Sequence, residues 1–584
     1  MKLLNNITNN KAIVVLLSLT TVFSSCSDYL DVDKDTDNPT VAPLNYLLTN
    51  VETKIGEIGD FSISTRTGTG TAISTYTHQM TSREDEDQYG LKVNDDGMIN
   101  DWNSIYLTLN DIETLIKQGT ESGDLVYVGI AQMQKAYILS YAVDLWGDVP
   151  YSETSQLTDG IIAPKFDNQK EIYTKIFSLI ETAKDNLASD AGLKKPGKDD
   201  IIYLGQTDKW IKFANTFKLK LYNQTRLIND FDQTGFNALI AENNFFTSEE
   251  DDFQIDHFNV ISPTNERNKL FIESYESTQF EAYQSPWMYE ILKGMNPNIH
   301  TGNPDPRIPY YYFNQLVPDE LPVDQGDTAT GDPNADYWDA STGFLSIRFG
   351  STGPDRDKSA EGSYTYPGIF SSGGRYDDGK GGSINDIMAK KDGMPDAPTG
   401  IAPHRILTYN EFLFIQAELI QVGKLTNIGS ASDKLEEAIT ASFAKVDQVV
   451  VQNQAGTKTQ TIPKLIGSDA VDTFIENVIT EFNAASPTKQ LEIIMTQKWV
   501  GTFGDPTDQY TDYRRTGFPV LADPKSTSKE YQLDNGDDFP LIDSQTVLNN
   551  PFQLSIYWPQ SELNSNANAP AQKNPTTYKI FWDN

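Results

Sequence analysis

The 584-residue chain is poor in cysteine and histidine, and this scarcity excludes several kinds of site. Its one cysteine cannot form a disulfide within the chain. The four histidines share neither helical nor ligand spacing, which argues against a histidine-based metal or proton-transfer site. The G-x-S-x-G and H-E-x-x-H motifs of common hydrolases are also absent. We therefore predict no catalytic residue, no metal site and no cofactor.

Positive charge is also scarce. The chain has 46 Lys and Arg against 82 Asp and Glu, a formal net charge of −36 at pH 7. Nucleic acids and anionic lipid headgroups repel such a polyanion, so we exclude nucleic acid as a partner. Aromatic residues are plentiful, with 28 Tyr, 28 Phe and 8 Trp, and they supply material for a globular core.

Only one long apolar run is present, at residues 12–23, and it is shorter than the ~20 residues that a bilayer span requires. Lysines precede it, and two serines follow it directly before Cys26. This order predicts a signal peptide over residues 1–25. Cys26 stands where a bacterial lipobox has its acylated cysteine, although Phe23 replaces the frequent leucine. We predict lipid attachment (palmitate) at Cys26; the alternative is an ordinary signal peptide followed by a chance cysteine.

An acidic segment follows Cys26, with aspartates at every second position from Asp31 to Asp37. A calcium loop of the D-x-D-x-D-G type would need glycine sixth and a bidentate carboxylate twelfth, and Thr36 and Ala42 occupy those places. We therefore interpret residues 26–41 as a solvated tether between the lipid and the folded body.

The rest of the chain is predicted to be one domain in which helical and irregular segments alternate. Apolar residues recur at spacings of three and four, which indicates amphipathic helices, and stretches rich in Gly, Pro, Asp and Asn indicate turns. The helix pairs do not follow the 34-residue tetratricopeptide period. Within residues 42–584 we predict helices over 42–293, loops over 294–405, helices over 406–503 and an irregular tail over 504–584.

Some local motifs predict structural roles. Thr408-Tyr-Asn-Glu411 matches a capping box at a helix start. Gly147, in DLWGDVPY, is expected to end a helix. Arg514 and Arg515, in DYRRTG, are expected to meet nearby carboxylates in this acidic protein.

Several segments, in order, resemble the SusD/RagB-like outer-membrane lipoproteins. The segments are AYILSYAVDLWGDVPYSE (136–153), RILTYNEFLFIQAEL (405–419), IIMTQKWVGTFGDPTDQYTDYRRTGFPVL (493–521), and the ending YWPQSELNSNANAP with TYKIFWDN. Together with Cys26 they cover essentially the whole mature chain. The resemblance implies a mainly α fold of tetratricopeptide-like stacked helical hairpins beside a large irregular, loop-rich half.

The resemblance also implies a function. It predicts a surface-exposed protein, anchored to the outer membrane through the lipid on Cys26, that binds oligosaccharides or peptides. It further predicts a SusC-like TonB-dependent transporter as the partner that receives them. Two alternatives stay open: a surface glycoside hydrolase or other polymer-degrading enzyme, and a transporter lid without ligand affinity. For a hydrolase, Asp144, Asp148 and Asp305 are candidate carboxylates, although 82 acids make chance spacings common.

Ligand-binding residues are predicted from side-chain chemistry, since no motif carries them over. Sugar rings stack on aromatic faces while polar side chains bond their hydroxyls, so we chose aromatic and polar residues in the expected loops. The candidates are Tyr76, His78, Gln79, Arg83, Tyr89, Tyr283, Trp287, Tyr312, Tyr337 and Trp338. For each of them, packing inside the protein is the alternative.

Overall fold

The structure, a computed structural model, describes most of the chain beyond residue 41. The described residues are 42–61, 68–82, 89–92, 96, 98–277, 282–325, 336–352, 362–384, 387, 398–453, 460–504, 506–523, 526 and 550–583. The predicted signal peptide, the acidic tether, Cys26 and Arg83 lie outside these residues. Among the described helices, none combines the length and apolarity needed to cross a bilayer.

Helices form most of the N-terminal part. They are α1 (Leu44–Ile55), α2 (Thr69–Tyr76), α3 (Ile99–Ser122), α4 (Leu125–Trp146), α5 (Gln169–Leu187), α6 (Thr207–Gln224), α7 (Gln233–Glu242), α8 (Lys269–Tyr275) and α9 (Pro286–Lys293). Consecutive helices α3, α4, α5 and α6 pack against their neighbours, and α1 packs on α3. Helix α4 is buried around nearly its whole circumference, which matches its almost continuous apolar sequence.

A second helical group lies towards the C-terminus. After the four-residue helices α10 (Ile308–Tyr311) and α11 (Ile369–Ser372), it comprises α12 (Tyr409–Gln421), α13 (Ala431–Asn453), α14 (Asp469–Ala484), α15 (Pro487–Gly501), α16 (Pro506–Thr516) and α17 (Gln560–Ser565). Helices α12 and α13 form a hairpin, and α14 and α15 pack on it. The prediction of a mainly α fold of stacked helical hairpins is confirmed.

The strands are short, and each described sheet is one antiparallel pair. The pairs are β1 (Met80–Ser82) with β5 (Ala282–Gln284), β2 (Val149–Pro150) with β3 (Phe166–Asp167), β4 (Phe253–Ile255) with β10 (His404–Leu407), β6 (Tyr312–Phe313) with β9 (Tyr366–Pro367), and β7 (Tyr337–Asp339) with β8 (Phe344–Ser346). A two-stranded ribbon is marginally stable by itself, so each of these pairs depends on packing against the helices and loops around it.

The loop-rich half has a hydrophobic core of its own. Its buried members are Phe271, Tyr275, Tyr283, Phe313, Leu316, Leu345, Ile347, Tyr364, Tyr366 and Ile384. Six of these ten residues are aromatic. Short strands and turns present few aliphatic side chains to one another, so large rings provide the buried area that holds the loops together.

Buried ion pairs join the two helical groups. Glu418 on α12 lies 2.9 Å from the guanidinium of Arg226 and also bonds Arg515 on α16. Lys498 on α15 lies 2.8 Å from Asp512 and 3.4 Å from Glu411. Every charge in this network has an opposite charge nearby, as burial requires.

Glu411 in this network shows that the predicted capping box was wrong. Helix α12 does begin after Thr408, but the Thr408 side chain makes no capping hydrogen bond. The amide of Tyr409 instead donates to Asp252, 2.6 Å away. Burial, followed by the nearby Asp508 carboxylate, raises the pKa of Glu411. A distant carboxylate therefore caps the helix, and Glu411 is committed to the ion network.

Two further local predictions had mixed outcomes. Gly147 ends α4 with φ of 77°, as expected. Arg515 meets carboxylates, as expected, but Arg514 donates to the backbone carbonyls of Leu554 and Asp144, each 2.7 Å away. The segment 504–584 also contains an eleven-residue helix, α16, where we expected an irregular tail. This helix carries few apolar residues, so its periodicity was weak, and buried ion pairs hold it.

Candidate functional site

Two segments with predicted ligand-binding residues meet in strands β1 and β5. The ladder pairs Met80 with Gln284, Thr81 with Tyr283 and Ser82 with Ala282. The segments are about 200 residues apart in sequence, so the fold alone brings them together. They bring the end of α2 and the start of α9 close together.

The hairpin β7–β8 joins this ladder. The Ser346 hydroxyl on β8 donates to the backbone carbonyl of Gln284 on β5, 2.6 Å away. Trp338 on β7 faces Leu345 across the hairpin and is half-buried against the second core. We call the strands β1, β5, β7 and β8, together with residues 77–79 and Tyr89, the strand face.

His78 organises one side of the strand face. Its ring lies 4.0 Å from that of Phe349, and its Nε2 lies 3.0 Å from the Tyr89 hydroxyl. Its Nδ1 accepts a hydrogen bond from the amide of Ala522, 3.1 Å away. Burial lowers the pKa of His78 to about 3. The imidazole is therefore neutral, with its proton on Nε2, and it serves here as an aromatic and hydrogen-bonding group.

Unpaired polar atoms mark the middle of the strand face. Both amide atoms of the fully buried Gln284 side chain lack a hydrogen-bond partner, and so does the indole Nε1 of Trp338. Buried polar groups are nearly always bonded in native proteins. Sequence reasoning missed Gln284, since a lone glutamine in a short strand carries no motif. All three atoms are enclosed, so they can bond a polar ligand only when the side chains around them move.

Most of the predicted aromatic residues do not stand on loops, as we had expected. Tyr76 ends helix α2, Trp287 lies in helix α9, and Tyr283, Tyr312 and Tyr337 lie in strands. All five side chains are buried. Such rings fill cores, so packing occupies them in this structure, and their ligand role stays a prediction.

Trp287 and Gln79 show what these packed positions do. Trp287 Nε1 donates to the Val520 carbonyl at 2.9 Å, and Gln79 Nε2 donates to the Trp499 carbonyl at 2.8 Å. Trp499 Nε1 in turn donates to the Thr77 carbonyl at 3.0 Å. These bonds fix the turn after α2 on helix α15. Trp338 and Tyr89 are the half-buried aromatic members of the predicted set that the structure describes.

The carboxylates considered for hydrolysis are engaged in structural contacts. Asp305 and Arg307 form a buried ion pair at 2.6 Å. Asp144 accepts hydrogen bonds from Tyr173 and Trp582, and Asp148 accepts one from the amide of Gln169. Within the described ranges, no group of three or more metal-ligating side chains could hold an ion.

The sequence matches the model of one known protein family. The model of the SusD-like family, described as "Starch-binding associating with outer membrane", matches residues 36–540. No curated protein sequence matches the chain.

Solved structures show the same fold. A SusD/RagB family protein from Bacteroides thetaiotaomicron is 20% identical, with a TM-score of 0.62 over 93% of this chain and 99% of that one. A SusD homologue from Bacteroides fragilis is 22% identical, with a TM-score of 0.59 over 90% and 94%. A chitin-binding protein is 19% identical, with a TM-score of 0.61 over 92% and 99%. At these identities the likeness establishes the fold alone.

The family model spans most of the chain, and the observed fold of tetratricopeptide-like helical hairpins agrees with it. The chain therefore belongs to the SusD-like family.

Proposed function

We propose that this protein is a non-catalytic capture protein of the outer membrane that binds oligosaccharides at the strand face. Membership of a family described as starch-binding and associated with the outer membrane supports a carbohydrate ligand. Peptides are the second ligand class that the proposal admits.

The single observation that carries the site is the attachment of the hairpin that bears Trp338 to the strand that bears Gln284. Ser346 ties the hairpin that bears Trp338 to the backbone of Gln284. Trp338 offers an indole face for the C–H groups of a sugar and an unpaired donor, Nε1. Gln284 has an unpaired donor and an unpaired acceptor, and these atoms, like Nε1 of Trp338, become accessible only when neighbouring side chains move. Saccharide recognition needs this combination of an apolar face and neutral hydrogen-bonding groups.

Delivery of the ligand forms the second half of the proposal. The sequence pattern around Cys26 supports lipid attachment there, with residues 26–41 as the tether to the folded body. We propose that the anchored protein is exposed on the cell surface and passes its ligand to a SusC-like TonB-dependent transporter. Capture and transfer require no bond breaking, so a non-catalytic site suffices.

A binding screen tests the capture function. The mature chain with Cys26→Ala, which stays soluble for the assay, is titrated with neutral glycans, acidic glycans and peptides, and each recovered ligand is weighed by mass spectrometry. We expect an intact neutral oligosaccharide to bind. Trp338→Ala should weaken that binding by about tenfold or more, since stacking on one aromatic side chain contributes on the order of 1–3 kcal/mol.

Two further variants sharpen the screen. Trp338→Phe keeps a ring but removes Nε1, so it separates stacking from hydrogen bonding. Tyr46→Ala is the matched control, because Tyr46 is an exposed aromatic on α1, with 68% of its surface accessible. Shortened oligosaccharides among the products would refute the non-catalytic assignment. Binding unchanged in Trp338→Ala would refute the site.

A further inference from the structure

A second surface cleft is formed by two segments that the sequence resemblance singled out but that the strand face does not use. Residues 150–164, after DLWGDV, form one wall together with α3, and α17 with Asn566 forms the other. The cleft has a volume of about 270 Å³. This is just below the usual range for drug-sized ligands and suits a single sugar ring.

The cleft is rigidly built. Asn566 Nδ2 donates to the Pro164 carbonyl at 2.8 Å, and Asn568 Nδ2 donates to the Ala163 carbonyl at 2.6 Å. On the opposite side the Ser155 hydroxyl donates to Asn110 Oδ1 at 2.5 Å. These bonds hold both walls without help from a ligand, so the cleft is already formed when a ligand arrives.

One part of the lining is apolar. The Tyr106 ring packs 5.0 Å from that of Trp102, and its hydroxyl donates to the Pro150 carbonyl, so its orientation is fixed. Pro164 lines the cleft beside it. Ile162 also lines the cleft and is 82% exposed, although a large aliphatic side chain gains by leaving water. Together they offer a C–H surface to one face of a ring.

The other part of the lining is rich in hydrogen-bond acceptors. The hydroxyl groups of Thr154 and Ser565 donate to backbone carbonyls, which leaves their lone pairs for a ligand. Glu562 Oε1 accepts from Asn566, and Oε2 remains available. Asn110 contributes the amide donor Nδ2. A ligand with many donors fits this lining best.

The charge around the cleft is negative. Glu562 forms no ion pair with any described residue, and the nearby Lys165 ammonium lies 3.8 Å from both Glu153 and Asp167. Burial, followed by Glu562 and Asp167, raises the pKa of the Tyr106 hydroxyl well above its ordinary value. The potential in the cleft therefore favours a cationic ligand over a neutral one and a neutral ligand over an anion.

We propose that this cleft is a second saccharide subsite that takes one sugar unit and prefers an amino sugar. One face of the ring packs on Tyr106 and Ile162, and the ammonium or hydroxyl groups donate to Glu562. The subsite is separate from the strand face, because the two share no element. It gives the protein a second contact with a long glycan, and two weak contacts on one chain raise the overall affinity.

Ligand-observed nuclear magnetic resonance titrations of the mature chain with Cys26→Ala test the proposal. The probes are the methyl glycosides of glucosamine, glucose and glucuronic acid at pH 7. We expect dissociation constants on the order of millimolar, as a ligand of a dozen heavy atoms allows, with glucosamine tightest and glucuronic acid weakest.

Variants assign the binding to the cleft. Ile162→Arg fills the cleft from an exposed position and should weaken all three sugars by tenfold or more. In Glu562→Gln, the ratio of the dissociation constants for glucose and glucosamine should fall to about one. Val451→Arg is the control, because Val451 is also an exposed aliphatic residue, at 67% exposure on helix α13, and lies outside the cleft.

The outcomes are separable from those of the capture function. Trp338→Ala should leave monosaccharide binding at the cleft unchanged even if it abolishes oligosaccharide capture at the strand face. Ile162→Arg is also combined with Trp338→Ala, which removes the contribution of the strand face. Binding that survives in this double variant, or that is lost in Trp338→Ala alone, would overturn the proposal. Absence of binding for all three sugars at 50-fold the expected dissociation constant would overturn it as well.

Discussion

Single buried side chains show how this acidic protein accommodates its carboxylates. Asp144 on α4 is buried, and one of its oxygens, Oδ1, accepts from both the Tyr173 hydroxyl and the Trp582 indole. Glu418 is fully buried between two guanidinium groups, those of Arg226 and Arg515. The first carboxylate is held by neutral donors and the second by charges.

Asp144 should make the stability of the protein depend on pH. Burial raises the pKa of its carboxyl to about 6. The hydrogen bond from Tyr173 and the positive charge of Arg514 lower the pKa, but by less than burial raises it. Because the folded-state pKa lies above the unfolded value, its stabilising contribution is full below about pH 4 and is lost as the pH rises through 6. In Asp144→Asn, the Oδ1 acceptor stays and the titration disappears. The free energy of unfolding of this variant, relative to wild type, should therefore rise by roughly 2–3 kcal/mol between pH 4 and pH 7.

Chemical denaturation at the two pH values measures this change. Asp190→Asn is the control, because the Asp190 side chain is fully exposed. A difference between Asp144→Asn and wild type that is the same at both pH values would show that Asp144 does not titrate between them.

Helix ends show which elements tolerate substitution. Helices α3 and α4 both end at a glycine with φ of 77°, Gly123 and Gly147. A Cβ at Gly123 would meet nothing within 4 Å, whereas a Cβ at Gly147 would lie 2.5 Å from the ring of Tyr578. Tyr578 is itself packed on Trp558, with ring centroids 5.7 Å apart. A positive φ is therefore the shared requirement. Gly147 alone adds a second one, because its ψ of −117°, against 13° at Gly123, lies outside the left-handed helical region and its Cβ position is blocked.

The matched pair Gly123→Ala and Gly147→Ala should separate these two requirements. Gly123→Ala pays only for the left-handed backbone and should lower the free energy of unfolding by about 1–2 kcal/mol. Gly147→Ala adds a clash with a packed ring and should cost about 3 kcal/mol or more. Denaturation midpoints of both variants measure the difference. Equal losses would contradict this prediction, because neither the ψ of Gly147 nor the Tyr578 ring would then add to the cost.

At the scale of the whole molecule, the C-terminal segment completes the N-terminal helices. The amide of Ile556 donates to the Leu145 carbonyl at 2.8 Å, and Trp582 Nε1 donates to Asp144 at 2.8 Å. Trp146 Nε1 in turn donates to the carbonyl of Tyr557 at 3.0 Å. These residues are separated by more than 400 positions in sequence, so the end of α4 is enclosed only when the chain returns.

Removal of residues 550–584 should therefore loosen the whole protein rather than trim an edge. The truncation exposes the end of α4, including its buried Trp146. We expect the near-ultraviolet circular dichroism to be lost and a hydrophobic dye to bind, while much of the helical far-ultraviolet signal remains. Adding the peptide 550–584 in trans should restore the near-ultraviolet signal. A truncated chain with the native near-ultraviolet spectrum and thermal midpoint would contradict this prediction.

The amino-acid sequence determined the class of the fold, because apolar spacings of three and four are a local property that survives in any helical arrangement. The sequence also predicted that Gly147 ends a helix. It drew attention to the segments around residues 76–89, 283 and 338, from which the strand face is built. The lipid site at Cys26, the tether and Arg83 stay predictions, since they lie outside the described residues.

Tertiary structure decided which of those aromatic side chains are open. Tyr283 is buried in a ladder with Thr81, about 200 residues away, and Trp338 is half-buried against the second core, and local spacing encodes neither outcome. The same holds for Thr408, whose capping role passed to the distant Asp252. Apolar periodicity reports which residues share a face within one helix or strand. The unpaired atoms of Gln284 and the cleft beside Glu562 exist only where separate segments meet.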